Sequence, residues 1–160
     1  MAAEPTAELH HQLDVLFEGA PHFVDRLAAE PASSLGELLD RAEHVALRLP
    51  EPEQIELLNA HPRIGAAPAS VSKLSYREQG YDRDEGAPEL QARLERLNDD
   101  YEQRFGFRFV IFVDGRSRSE IARLMQRHLR ADRAAELRRG LSDVIAIARD
   151  RARKLEDADA

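Results

Sequence analysis

The 160-residue chain has no cysteine. That excludes disulfide frameworks, thiolate nucleophiles, thiolate zinc sites and iron–sulfur clusters, and it makes a reducing, cytoplasmic setting the expected one. No apolar run approaches the roughly 18 residues needed to span a bilayer, and the N-terminal Met1-Ala2-Ala3-Glu4-Pro5 lacks the basic-then-apolar pattern of a secretory leader. Neither membrane association nor export is expected. The terminal Ala158-Asp159-Ala160 matches no targeting tripeptide. A His-Glu-x-x-His motif is missing, and His10, His11, His22, His44 and His128 fall on predicted helices without partners at metal-ligand spacing, so no metal site is expected. Internal repeats and low-complexity tracts are absent as well.

What is present is a hydrophobic fraction of 42% and a charged fraction of 33%. That balance suits one continuous core inside a large solvated surface, and the length suits a single domain over residues 1–160. The net charge of −7 is unevenly spread: residues 1–103 carry 9 basic and 21 acidic side chains, whereas residues 104–154 carry 14 basic and 6 acidic. The basic stretch alternates with Asp114, Glu120, Asp132, Glu136, Asp143 and Asp150 and has no aromatic residue beyond Phe112. A solvated helix face, with one or two arginines turned inward for a small anion, is therefore expected rather than a nucleic-acid surface.

Helical periodicity dominates. Leu9, Leu13, Leu16 and Phe17 form a buried stripe, a second helix begins near Pro21, and Ser33-Ser34 opens a third that runs to Pro50. A fourth helix carrying Ile55, Leu57 and Leu58 must end before Pro62, because proline pushes the preceding residue out of the helical region. Residues 61–74 have the composition of a loop, and another helix is expected from Ser75 to Gly80. From Pro88 the stripe Leu90, Leu94, Leu97, Tyr101 and Phe105 runs to Gly106. There the period changes, and Phe107, Phe109, Val110, Ile111, Phe112 and Val113 read as one short extended run closed by Asp114-Gly115. Without a partner strand it should be a buried extended segment, about 107–113, in an all-α bundle of seven to nine helices. Two helices, about 117–130 and 132–156, complete the chain.

Three places can carry chemistry. His61 follows a helix, precedes proline and lies at the mouth of a long loop; its imidazole suits general acid–base work, and equally suits a helix C-terminus. Ser75-x-x-Glu78 is a capping box, and the same helix N-terminus can receive an anion beside Glu78 and Gln79. At about 100° per residue, Arg151 falls on the apolar face of Leu137, Leu141, Val144, Ala148 and Leu155, while Arg149 and Arg153 point away. Such an arginine either snorkels or pairs with a carboxylate of its own chain, or it offers a buried fork to the carboxylate of a ligand.

These segments line up with a family. Leu16-Phe17-Glu18-Gly19-Ala20-Pro21, Leu58-Asn59-Ala60-His61-Pro62-Arg63-Ile64-Gly65, Ser75-x-x-Glu78-Gln79, Leu97-Asn98-x-x-Tyr101-x-x-Arg104-Phe105-Gly106-Phe107-x-Phe109-Val110, Gly115-Arg116-Ser117 and Ala135-Glu136-Leu137 follow in order along nearly the whole chain. In these the chain resembles the 2-oxo-4-hydroxy-4-carboxy-5-ureidoimidazoline (OHCU) decarboxylases of urate breakdown. The resemblance implies an all-helical fold, no cofactor, a homodimer and the product (S)-allantoin. It also implies that His61 is catalytic, with Glu78 setting its charge state. Pro62, Ser75, Gln79 and Arg151 then bind substrate, as does the backbone of Phe109, Val110, Ile111, Phe112 and Val113. The chain departs from the common pattern at Arg63-Ile64, where Asp-Leu is frequent, at Gly80-Tyr81-Asp82, in a shorter loop before Ser75, and at Arg108, where proline is frequent. A non-catalytic binding module on the same scaffold, or a decarboxylase of a related ureide, are the alternatives.

Overall fold

The computed structural model describes residues 3–17, 19–65 and 88–159, and among these it has seven helices and no strand. They are α1 (Ala3–Phe17), α2 (Pro21–Ala28), α3 (Leu35–Arg48), α4 (Glu51–Asn59), α5 (Pro88–Phe105), α6 (Arg118–His128) and α7 (Arg133–Asp159). The sequence signals explain most boundaries. Pro21 opens α2, whose fixed backbone angle suits a first helical position, and Ser34 caps α3 by accepting from the Glu37 amide at 3.2 Å. The return bond of that box lands one residue early, with the Ser33 amide donating to Glu37 Oε2 at 3.0 Å. Ser117 caps α6 in the same way through the Glu120 amide. The helix expected over Ser75–Gly80 lies outside the described residues. None of the described helices is long and apolar enough to cross a membrane.

The chain divides into two compact units, residues 1–60 with 141–160, and residues 61–140. In the first, α2 packs against α1, α3 and α4. Its core holds Leu13, Leu16, Phe17, Phe23, Val24, Leu27, Leu38, Leu57 and Leu58. Phe17 and Phe23 meet edge to face at 4.8 Å, the arrangement favoured by the ring quadrupoles. Buried Gln54 of α4 donates to the Ala46 and Leu47 carbonyls in the last turn of α3, and the Ala46 carbonyl also accepts the Leu49 amide.

Surface pairs join the same helices: His10 to Asp25 at 2.9 Å, His22 to Glu56 at 2.8 Å and Arg26 to Glu53 at 2.7 Å. The hydrogen bond to Asp25 raises His10, and that to Glu56 raises His22, above the ordinary histidine value of 6.5. A raised histidine stabilises the fold fully below the unfolded value and ceases to do so as pH rises through the folded one. The unit should therefore lose a small increment of stability above pH 6.5. Imidazole NMR titration is expected to place both midpoints above that of a free histidine. Asp25→Asn should return His10 toward it, and Glu56→Gln should return His22.

In the second unit α5 packs against α6. Gly106 ends α5 with φ +82° and its amide bonded to the Glu102 carbonyl, a left-handed terminus that glycine adopts without steric cost. The chain then leaves the helix. Phe107, Phe109, Val110, Ile111 and Val113 are buried in neither helix nor strand, as the change of period predicts. Tyr101 sits among Phe105, Phe107 and Phe109, with centroid separations of 4.6, 5.9 and 5.1 Å.

A candidate active site on the His61 loop and the 107–113 segment

An extended segment with no partner strand leaves its carbonyls to be satisfied by other means. Arginine side chains supply the donors. Arg139 Nη1 donates to the Val110 carbonyl at 2.9 Å and Arg116 Nη1 to Phe112 at 3.1 Å, and just before the segment Arg133 Nε donates to the carbonyl of Phe105, the last residue of α5, at 2.9 Å. Arg104 does the same for Ala131, and in the first unit Arg149 and Arg151 do so for Leu39 and Leu16. Several arginines of the basic C-terminal third thus also serve as backbone clamps. Most of its basic side chains are nonetheless exposed, as expected of a solvated helix face, and Arg118 and Arg151 are buried. A guanidinium has five donors and no acceptor, so it can serve a carbonyl and a carboxylate together.

Arg139 does both. Its Nε and Nη2 reach Glu136 Oε1 at 3.0 and 2.6 Å, and the same carboxylate accepts the Tyr101 hydroxyl at 2.7 Å and pairs with His128 Nδ1 at 3.0 Å. Burial pushes the Glu136 carboxyl up, but the Arg139 guanidinium, the Tyr101 hydroxyl and His128 outweigh it and hold it below the usual carboxylate range. Burial, with the neighbouring carboxylate, raises the Tyr101 phenol. The Arg139 guanidinium also lies 5.0 Å above the Phe109 ring. One buried ionic cluster therefore fixes the Tyr101 ring and the Val110 carbonyl at once.

His61 follows the C-cap of α4 and is 5% exposed. Its position just past a helix end and before Pro62 is the one expected from the sequence. Arg108 Nη1 donates to the His61 carbonyl at 3.0 Å, which joins the His61 loop to the 107–113 segment. The residues after His61 are held by α5. Arg63 forks onto Glu102 at 2.7 and 3.0 Å and reaches Asp99 at 3.0 Å, Asn98 Nδ2 donates to the Ile64 carbonyl at 2.8 Å, and Gln91 Nε2 to the Gly65 carbonyl at 2.7 Å. Gly65 has φ +80°, which favours glycine, and a Cβ there would lie only 3.0 Å from Leu94 Cδ1, so Leu94 would have to give way.

Of the residues expected to form the site, His61, Pro62 and Phe109, Val110, Ile111, Phe112 and Val113 belong to the second unit, and the Arg108 bond links the two groups. Arg151 belongs to the first unit. It is 1% exposed, so it does not snorkel, and its Nη1 donates to the Leu16 carbonyl at 2.9 Å. Leu137, Leu141, Val144 and Ala148 of its face are buried as the helical phase predicts, and Arg149 and Arg153 are exposed. Leu155 departs from that face: it is 43% exposed, because every residue from Arg153 to Asp157 is exposed and the packed part of α7 ends at Ala152. Ser75, Glu78 and Gln79 lie outside the described residues.

Sequence reasoning gave Asn98, Tyr101, Glu136, Arg139 and Arg108 no chemical role. Asn98 was accessible to it as a polar residue phased with Leu94, Leu97 and Tyr101. Glu136 and Arg139 resemble any i,i+3 surface pair.

A family model described as OHCU decarboxylase matches residues 2–153. The chain belongs to that family. A 2-oxo-4-hydroxy-4-carboxy-5-ureidoimidazoline decarboxylase of Haloferax volcanii is 28% identical over 83% of this chain and 80% of its own length. The uric acid degradation bifunctional protein PucL of Bacillus subtilis is 32% identical over 91% of this chain, which spans 30% of that protein's length. The crystal structure of an OHCU decarboxylase in the presence of (S)-allantoin superposes with a TM-score of 0.73 at 21% identity, covering 89% of this chain and 94% of the other. At that identity the likeness speaks for the all-helical fold, which this chain shares.

Proposed function

We propose that this OHCU decarboxylase family member removes carbon dioxide from 2-oxo-4-hydroxy-4-carboxy-5-ureidoimidazoline to give (S)-allantoin in urate degradation. The family match over residues 2–153 carries the reading. The His-Pro loop is consistent with it: His61 is nearly buried and is held through its carbonyl by Arg108.

Decarboxylation breaks the bond between a ring carbon and its carboxylate, and the electron pair left behind needs a sink. The conjugated imidazoline ring of the substrate accepts that pair, so no cofactor is required, and one proton returned to the ring system completes allantoin. In this scheme His61 acts on the hydroxyl or delivers the proton, and Glu78 sets its charge state. Arg151 and Ser75 hold anionic and ureido groups, Gln79 fixes the ring, and Pro62 with the backbone of residues 109–113 lines it. A homodimer acting in the cytoplasm completes the reading.

Generating the unstable substrate from urate in situ and following optical activity tests the proposal. The expected result is faster formation of (S)-allantoin with the protein than without it. Racemic allantoin at the spontaneous rate would overturn it. Arg151→Met, which keeps the stem and removes the fork, is expected to lower kcat/KM by about 30-fold or more, the usual consequence of removing one partner of a buried charged contact. Arg151→Lys should not restore it, because an ammonium cannot form the planar fork. Light scattering on the eluting protein tests the dimer.

A further inference from the structure

Residues 61–65 are held along nearly their whole length, and most of the holding groups come from one face of α5. Gln91, Leu94, Asn98 and Glu102 are spaced 3, 4 and 4 residues apart. At about 100° per residue they fall within about 80° of one another around the helix. Gln91 takes the Gly65 carbonyl, Leu94 packs tightly over Gly65, Asn98 takes the Ile64 carbonyl, and Glu102 with Asp99 takes the Arg63 guanidinium. Arg108, beyond the end of α5, takes the carbonyl of the His61–Pro62 peptide itself.

The anchors differ in kind. Gln91, Asn98 and Arg108 bind backbone, whereas Arg63 anchors the loop through its side chain, by three charged hydrogen bonds to two carboxylates. Arg63 is about one-third exposed and Glu102 somewhat less, so stability gains little from the pair. Its geometry is nevertheless demanding: a side-on fork fixes the guanidinium plane, and that plane lies two residues from the imidazole. The pair is thus better suited to orientation than to stabilisation.

We propose that Arg63, held by Glu102 and Asp99, is a positioning residue that sets the register and direction of the His61 imidazole. This rests on the decarboxylase reading. It assigns a task to the Arg63-Ile64 departure from the common Asp-Leu form. An aspartate at position 63 would face Glu102 and Asp99 with like charge, so the arginine and the acidic face of α5 form a matched set in this chain.

The test compares Arg63→Met, Glu102→Gln and the double variant with the wild type in the in situ assay, well below each protein's unfolding transition. Each single variant is expected to lower kcat, with Arg63→Met falling by about 10²-fold, the scale of a misplaced catalytic group. KM should stay within about 3-fold, and the double variant should fall no further than Arg63→Met, because both substitutions remove one contact. Glu102→Gln keeps size and a neutral acceptor, so it reports on charge even where Arg63→Met folds poorly. In parallel, the His61 ring resonances should be sharp in the wild type and broadened or multiplied in the variants. An unchanged kcat with a single sharp His61 signal, whatever the shift in unfolding temperature, would reduce Arg63 to a surface brace and overturn the proposal. A wild type that gives no acceleration would instead remove the decarboxylase reading, and the positioning role with it.

Discussion

Replacing Glu136 by alanine is expected to destabilise the fold by about 3–5 kcal/mol, the range for breaking a buried ionic contact from one side. The magnitude follows from what remains. Glu136 is 2% exposed, and its loss leaves Arg139 without the carboxylate that two of its nitrogens bind, Tyr101 without the acceptor of a buried hydroxyl and His128 without its Nδ1 partner. The damage should extend to the 107–113 segment, because Arg139 also holds the Val110 carbonyl. Tyr101→Phe removes only one hydrogen bond to a charged group and keeps the ring packing, so it should cost about 1.5–3 kcal/mol. Urea unfolding curves measure both, and an alanine variant within 1 kcal/mol of wild type, roughly the value of one hydrogen bond, would show that the cluster does not hold this unit together. The pH dependence has a defined sign. The folded carboxyl of Glu136 lies below its ordinary value of 4.5, so its contribution is complete above that value and is lost as pH falls through the lower folded one. Glu136→Gln should flatten this acid limb.

His61→Asn is expected to lower the catalysed rate by about 10²–10⁴-fold, the contribution of a positioned general acid or base. The fold should survive, because the contact between Arg108 and residue 61 is made to the backbone carbonyl and not to the imidazole. Asparagine retains polar hydrogen-bonding groups in a nearly buried position without an ionisable nitrogen. The rate comes from the in situ assay and the fold from circular dichroism and urea unfolding of the same preparation. A variant that folds and keeps the full acceleration would move proton transfer to another group, with Glu78 the next to test.

Much of this architecture is written locally. Pro21 and Ser34 mark where α2 and α3 begin, Gly106 where α5 ends, and the change of period after Phe105 marks the extended segment. Each depends on neighbours within a few residues, so pattern reading finds them. Helical phase likewise placed Arg151 on a buried face. It could not give that guanidinium a partner, because the Leu16 carbonyl is 135 residues away. The same phase argument carried Leu155 inward, since periodicity describes a helix and not the length over which its neighbours cover it.

The sequence by itself determined the helical class, most element boundaries, the loop that carries His61 and, through ordered motifs, the family. Tertiary structure alone decided the work of the arginines. By composition they form a basic, solvated stretch; in the fold Arg108, Arg116, Arg133 and Arg139 donate to the carbonyls of His61, Phe112, Phe105 and Val110. The physical reason is that carbonyls in a loop, at a helix end or in an extended segment without a partner strand lack a regular backbone donor and must take one from wherever the chain brings it, and three of those four bonds join residues 28–47 positions apart. No periodicity encodes such a bond, because it is fixed by where helices pack and not by the order in which residues occur.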